Sequence, residues 1–153
     1  IGESAFHKCF NLTEVRFEEG SRLYNLSYFA FYYCTSLKKI DLPASVTLIM
    51  THSSNIFFEV VALDCFYYAG TTDFSALSYF FNTVSNVYVS NNYPTSTFAG
   101  IRVTKGTQTC GVSKEHLEKP NTGIGPPICP KYSIVVVRNC VHYHQYMFLL
   151  LHS

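Results

Sequence analysis

The chain has 153 residues, enough for one ordinary domain. Hydrophobic residues make up 48%, which excludes a disordered polymer. A formal net charge of +1 gives no electrostatic reason to expect nucleic acid or an anionic membrane as partner. Ile1 already falls within a repeated pattern, and no charged leader with an apolar run precedes it. The expectation is a C-terminal fragment with further repeats before it.

The segment IGESAFHKCFNLTEVRF returns 25 residues later as LSYFAFYYCTSLKKIDL. Ala5, Phe6, Cys9 and Leu12 reappear as Ala30, Phe31, Cys34 and Leu37, and Val15 and Phe17 return as Ile40 and Leu42. A fixed interval of this size marks a solenoid, in which each unit buries its apolar face against its neighbours. Ile1, Ala5, Phe6 and Cys9 have helical spacing, and Val15 and Phe17 alternate with charged residues as in a strand. Each unit is therefore expected to be a short helical turn followed by a strand. Glu18-Glu19-Gly20 and Pro43-Ala44-Ser45 supply the corners. One unit cannot bury enough apolar surface to fold alone, so two clear units predict a marginal chain with an uncapped apolar face before Ile1. Stacking would bring Cys9 and Cys34 about 5 Å apart, within reach of a disulfide. Equivalent buried cysteines more often act as small apolar fillers, so free thiols are expected.

The pattern Ile/Leu-x3-Ala-Phe-x2-Cys-x2-Leu-x2-Val/Ile-x-Phe/Leu resembles the BspA-type leucine-rich repeat. Pro43, Ser45, Val46 and Ile49 match that family's Pro-x-Ser-Val-x2-Ile ending, where the first unit has Glu18 in place of Pro. The resemblance covers residues 1–49. It implies an α/β solenoid of such coils, a non-catalytic role in adhesion or protein contact, and a place at the cell surface or in secretion.

Residues 50–62 break the pattern and are expected to form a degenerate third coil. Residues 63–105 are expected to form a capping unit of strand, helix and strand. Cys65 to Ala69 form the first strand and Val87–Val89 the second. Between them, Thr71-Thr72-Asp73 offers N-cap side chains to a helix carrying Phe74, Leu77, Phe80 and Phe81. The two strands are expected to lie parallel. Tyr-Tyr-x-Gly-x2-Asp-Phe-Ser at 67–75, Val-Tyr-Val-Ser at 87–90 and Tyr93-Pro94 also resemble the segment that follows the repeats in BspA-like surface antigens of parasitic protists.

Residues 106–131 are rich in Gly, Thr and Pro and are expected to form a linker. Residues 132–153 are apolar but interrupted by Arg138, Asn139, His142, His144 and Gln145. A spanning helix needs about 20 mostly apolar residues. The segment is therefore expected to be a poorly ordered tail or a vestigial anchor, with strand character at Ile134–Val137. Membrane association is expected only if it is a degraded anchor. Cys140, His142 and His144 would share one strand face, with Cys129 nearby, but the paired spacing of structural zinc sites is missing.

No nucleophile elbow, HExxH or phosphate-binding loop occurs. No catalytic residue, metal or cofactor is expected. The candidate contact residues are Tyr28, Tyr32 and Tyr33 on the turn side and Arg16, Lys38 and Lys39 on the strand side, since Tyr and Arg tend to anchor interfaces. The expected partner is an unidentified protein, or a ligand on a host or matrix surface. A purely structural spacer within a longer ectodomain is the alternative. Two N-glycosylation sequons begin at Asn11 and Asn25.

Overall fold

A computed structural model describes residues 1–17, 20–50, 56–78, 80–111 and, for backbone pairing alone, 134–137. Ten strands run in chain order: β1 Glu14–Phe17, β2 Asn25–Leu26, β3 Lys39–Leu42, β4 Leu48–Ile49, β5 Cys65–Tyr68, β6 Asn86–Val89, β7 Thr97–Phe98, β8 Ile101–Arg102, β9 Thr104–Lys105 and β10 Ile134–Val137. Six of them form one parallel sheet in the order β10-β1-β3-β5-β6-β9. A smaller parallel pair, β2 and β4, forms a second side. A hairpin of β7 and β8 follows the fourth coil.

Strand register follows the repeat. Val15 pairs with Ile40 and Ile40 with Phe66, so every second side chain enters one interior. Val15, Ile40 and Phe66 are fully buried, and Phe17, Leu42 and Tyr68 form a second buried row. Leu12 and Leu37 lie in the same interior. Phe6 and Phe31 stack with centroids 5.2 Å apart and planes 2° apart, and Phe57 continues the stack 5.3 Å from Phe31. The expected superposition of Phe6 on Phe31 is therefore met.

Third-coil residues follow the same pattern one residue late. Ile56, Phe57, Val60 and Leu63 take the places of Ala30, Phe31, Cys34 and Leu37, and all four are buried. Corners are fixed between coils too. The Ser45 hydroxyl donates to the carbonyls of Ser21 at 2.8 Å and Leu23 at 2.6 Å, which gives the Pro-x-Ser-Val ending a physical role.

The described residues contain no helix. On the turn side the chain instead makes successive tight turns with i to i+3 bonds, such as His7 N–H to Ser4 and Tyr32 N–H to Phe29. Ser4, Lys8, Phe29, Tyr33 and Glu59 have φ between 56° and 60°. A left-handed residue every four positions stops a right-handed helix from propagating. What holds these conformations is a ladder between coils. Phe6 and Lys8 donate to Ala30 and Tyr32, and Phe31 and Tyr33 donate to Ile56 and Phe58, all at 2.8–3.1 Å. Backbone groups that a helix would satisfy internally are satisfied by the next coil.

The expected helix over Phe74–Phe81 is likewise absent among the described residues, which hold a turn at Ser75 and Ala76. Phe74 and Phe80 both reach the interior and pack on Phe98 at 5.5 Å. β5 and β6 are parallel neighbours. The β7–β8 turn has φ of 47° at Ala99 and 77° at Gly100, as a two-residue hairpin loop of primed type requires.

β10 pairs with the outer edge of β1, Glu14 opposite Ile134 and Phe17 opposite Val137. On the strand side the edge before β1 is therefore occupied. No helix among the described residues is long and apolar enough to cross a membrane. Cys129, Cys140, His142 and His144 lie outside the described residues, as do Glu18 and Glu19 at the first corner.

Candidate binding surfaces

The six candidate contact residues fall on two different sides of the solenoid. On the turn side, His7, Tyr32 and Phe58 occupy equivalent positions in three coils. Tyr32 meets His7 edge-on at 5.2 Å and stacks on Phe58 at 5.0 Å. Phe29 lies 5.1 Å and Tyr33 4.8 Å from the Tyr32 ring. Tyr28, Tyr32 and Tyr33 are half-buried rather than fully displayed. The Tyr32 and Tyr33 rings brace each other and Phe58, which fixes them in place before any partner arrives and lowers the ordering cost of binding. Exposed His7 is held below its ordinary pKa by partial burial and by neighbouring Lys8.

Alternate residues of the large sheet project outward on the strand side. One row is Glu14, Lys39, Cys65 and Asn86, and the next is Arg16, Asp41, Tyr67 and Tyr88. Lys39 Nζ lies 3.7 Å from the Glu14 carboxylate. Partly exposed pairs of this kind contribute about 0–1 kcal/mol and serve mainly to fix orientation. Arg16 is half-buried with Asp41 as its register neighbour, and Lys38, just before β3, is exposed.

His7 and Phe29 on the turn side, with Phe58, and Asp41, Tyr67 and Tyr88 on the strand side were not among the candidates. Phe58 belongs to the turn-side ladder, but the 26-residue spacing of the third coil hid it. Asp41, Tyr67 and Tyr88 occupy the outward strand row, a placement that follows from period-two alternation once the register is known. Tyr67 is raised above the ordinary phenol pKa, first by burial and then by the nearby Asp41 charge.

Cysteines divide into two roles. Cys34 is a free buried thiol, as expected, and burial pushes its pKa up to about 12. Cys9 departs from expectation: it is disulfide-bonded. Cys65 and Cys110 form a second disulfide across 45 residues. Of the two sequons, Asn11 is exposed in a turn. Asn25 is half-buried in β2, with its Oδ1 buried and without a hydrogen-bond partner. Among the described residues, no group of three or more His, Cys, Asp or Glu side chains is placed to hold a metal ion.

Parallel coils that share one apolar interior and present repeated side chains outward define a leucine-rich-repeat solenoid. The family model for the BspA type leucine rich repeat region matches residues 1–100 in six copies, and the chain belongs to that family. No curated protein and no solved structure matches the chain. Leucine-rich repeats generally serve protein–protein interaction and are typically non-catalytic.

Proposed function

We propose that the chain is a non-catalytic adhesion or protein-contact module, displayed at a cell surface or secreted, with a protein or a host or matrix surface ligand as its partner. The observation that carries this reading is the braced aromatic ladder His7–Tyr32–Phe58 with Tyr33 beside it. Tyrosines held rigidly at a surface give contact area at low entropic cost. Disulfides at Cys9 and Cys65–Cys110 support an oxidising compartment. Exposed Asn11 is the better placed glycan acceptor. Burial of the Asn25 carboxamide oxygen argues against modification there in the folded protein.

Within this module, residues 63–105 serve as the closing unit. β9 has only two residues, both exposed, and Phe98 plugs the interior against Phe66, Tyr68, Phe80 and Tyr93. Short polar edge strands suit the end of a sheet that must not recruit another chain.

The test is binding of the purified chain to immobilised matrix proteins and to epithelial cells. Saturable binding is expected, falling at least about tenfold when Tyr28, Tyr32 and Tyr33 are all changed to Ala, since interface aromatics contribute about 2 kcal/mol or more. Equal, negligible binding by both proteins would favour the structural spacer instead.

A further inference from the structure

After β9 the chain does not leave the solenoid. The Gly106 N–H donates to the Val89 carbonyl at 3.0 Å, at the end of β6. Four residues later Cys110 is bonded to Cys65 on β5, with Cα atoms 5.6 Å apart, and its N–H donates to Asp41 Oδ1 on β3 at 3.1 Å. Residues 106–110 therefore run back across the outward side of the large sheet, from β6 towards β3. Cys65 and Cys110 are 7% and 9% exposed, and Tyr67 and Tyr88 pack against them. Thr107, Gln108 and Thr109 are exposed on top.

We propose that this segment is a strap that occupies a peptide-binding track on the strand side, and that the Cys65–Cys110 disulfide locks it there. The track is the row Asp41–Tyr67–Tyr88. Its ligand class is an extended peptide that crosses the strands, because that is what the strap is: a backbone N–H given to the Asp41 carboxylate, with a disulfide against which Tyr67 and Tyr88 pack. Reduction opens the track. A dithiol transfers two electrons and two protons to the disulfide, leaving Cys65 and Cys110 as thiols and itself oxidised to a disulfide. The strap is then held by its hydrogen bonds to Val89 and Asp41 and by its packing. The closed form leaves Tyr67 and Tyr88 half-covered beside Arg16, Lys38 and Lys39, and the open form frees the rest of both rings. This refines the contact-module reading by adding control of one of its two sides. It is nevertheless testable without any partner.

The test uses the full chain as wild type and as the Cys65→Ser/Cys110→Ser double variant. Tyrosine-directed acylation by N-acetylimidazole is followed by peptide mass spectrometry. Modification of Tyr67 and Tyr88 is expected to be slow in the oxidised wild type and several-fold faster in the variant. Tyr32 and Tyr33 serve as internal controls whose rates do not change. Circular dichroism must show the sheet retained. If that variant loses the sheet, Asp41→Asn in the oxidised protein gives the second measurement, with a smaller rise at Tyr67 expected. Unchanged rates at Tyr67 and Tyr88 in a folded variant would overturn the strap. Failure of the adhesion assay with a clear change in tyrosine reactivity would remove the partner reading and leave the strap standing.

Discussion

The first three coils and the last two are built from the same materials and solve packing differently. In the first three, Phe6, Phe31 and Phe57 lie face to face, with planes 2° and 8° apart. Strand register advances by 25 residues from β1 to β3 and by 26 from β3 to β5. Beyond β5 the advance falls to 21 and then 16 residues. The Phe57–Phe81 pair has opened to 27° at 5.9 Å, and Phe66, Phe80 and Phe98 meet edge-on or tilted. A constant coil length lets each side chain sit on its copy. A shrinking coil cannot repeat the layer, so a cluster of differently oriented rings fills the tapering interior. Both arrangements are favourable for aromatics, but only the first is extendable.

The largest effect that would sharpen this contrast comes from Phe31, which is fully buried between two stacked rings. Phe31→Ala is expected to cost about 3–5 kcal/mol in chemical denaturation, because neighbours fixed by the ladder cannot collapse into the gap. A loss under about 1 kcal/mol would show that the coils are not stacked.

A comparable effect depends on pH. Burial raises the Cys34 thiol from 9.0 to about 12. The neutral thiol is favoured in the fold, so this stability is complete below pH 9 and is lost as pH rises towards 12. A shift of that size corresponds to about 4 kcal/mol at the top of the window. Cys34→Ala is expected to flatten the alkaline slope of a urea-denaturation series, leaving a residual slope from Tyr67 and Tyr93, which are also raised by burial. An unchanged slope would place Cys34 in water.

In the tapering half the corresponding probe is Tyr68. Its buried hydroxyl donates to the Val46 carbonyl at 2.7 Å and accepts from the Thr72 N–H at 3.3 Å. Tyr68→Phe leaves that carbonyl without its partner and is expected to cost about 1–3 kcal/mol, read as a shift in the denaturation midpoint. Gly70 is tied to the same side chain: a Cβ at Gly70 would collide with the Tyr68 phenol.

The smallest effect tests the turn side. Lys8 is exposed with φ of 59°. Lys8→Gly is expected to raise stability by up to about 1 kcal/mol, as relief of the left-handed cost outweighs the added chain entropy. Loss of stability would mean a helical conformation there.

The regular half was readable because Ala-Phe-x2-Cys-x2-Leu recurs at a constant interval, and that interval alone fixed which side chains meet. The third coil was hidden by one inserted residue together with Ile56 for Ala and Val60 for Cys. Both replacements are apolar, so the interior accepts them while the identity match disappears. Phe74, Leu77, Phe80 and Phe81 imitate helical spacing because a non-helical path around the end of the interior also brings side chains inward three or four residues apart. The turns at Ser4, Lys8, Phe29 and Tyr33 carried no glycine to announce a positive φ; contacts between coils impose it. The Cys65–Cys110 bond depends on which side of the sheet Cys65 faces, and that was unknown before the register. On the binding surfaces, the tyrosines and the basic residues were legible as residue types. Their separation onto two sides, and the half-burial that braces them, came from the stacking.

Ring-to-ring NOEs in a sample labelled at phenylalanine test the stacking most directly. Cross-peaks are expected between Phe6 and Phe31 and between Phe31 and Phe57, whose centroids are 5.2 and 5.3 Å apart, with none directly between Phe6 and Phe57. Folded protein lacking both neighbouring cross-peaks would contradict the solenoid.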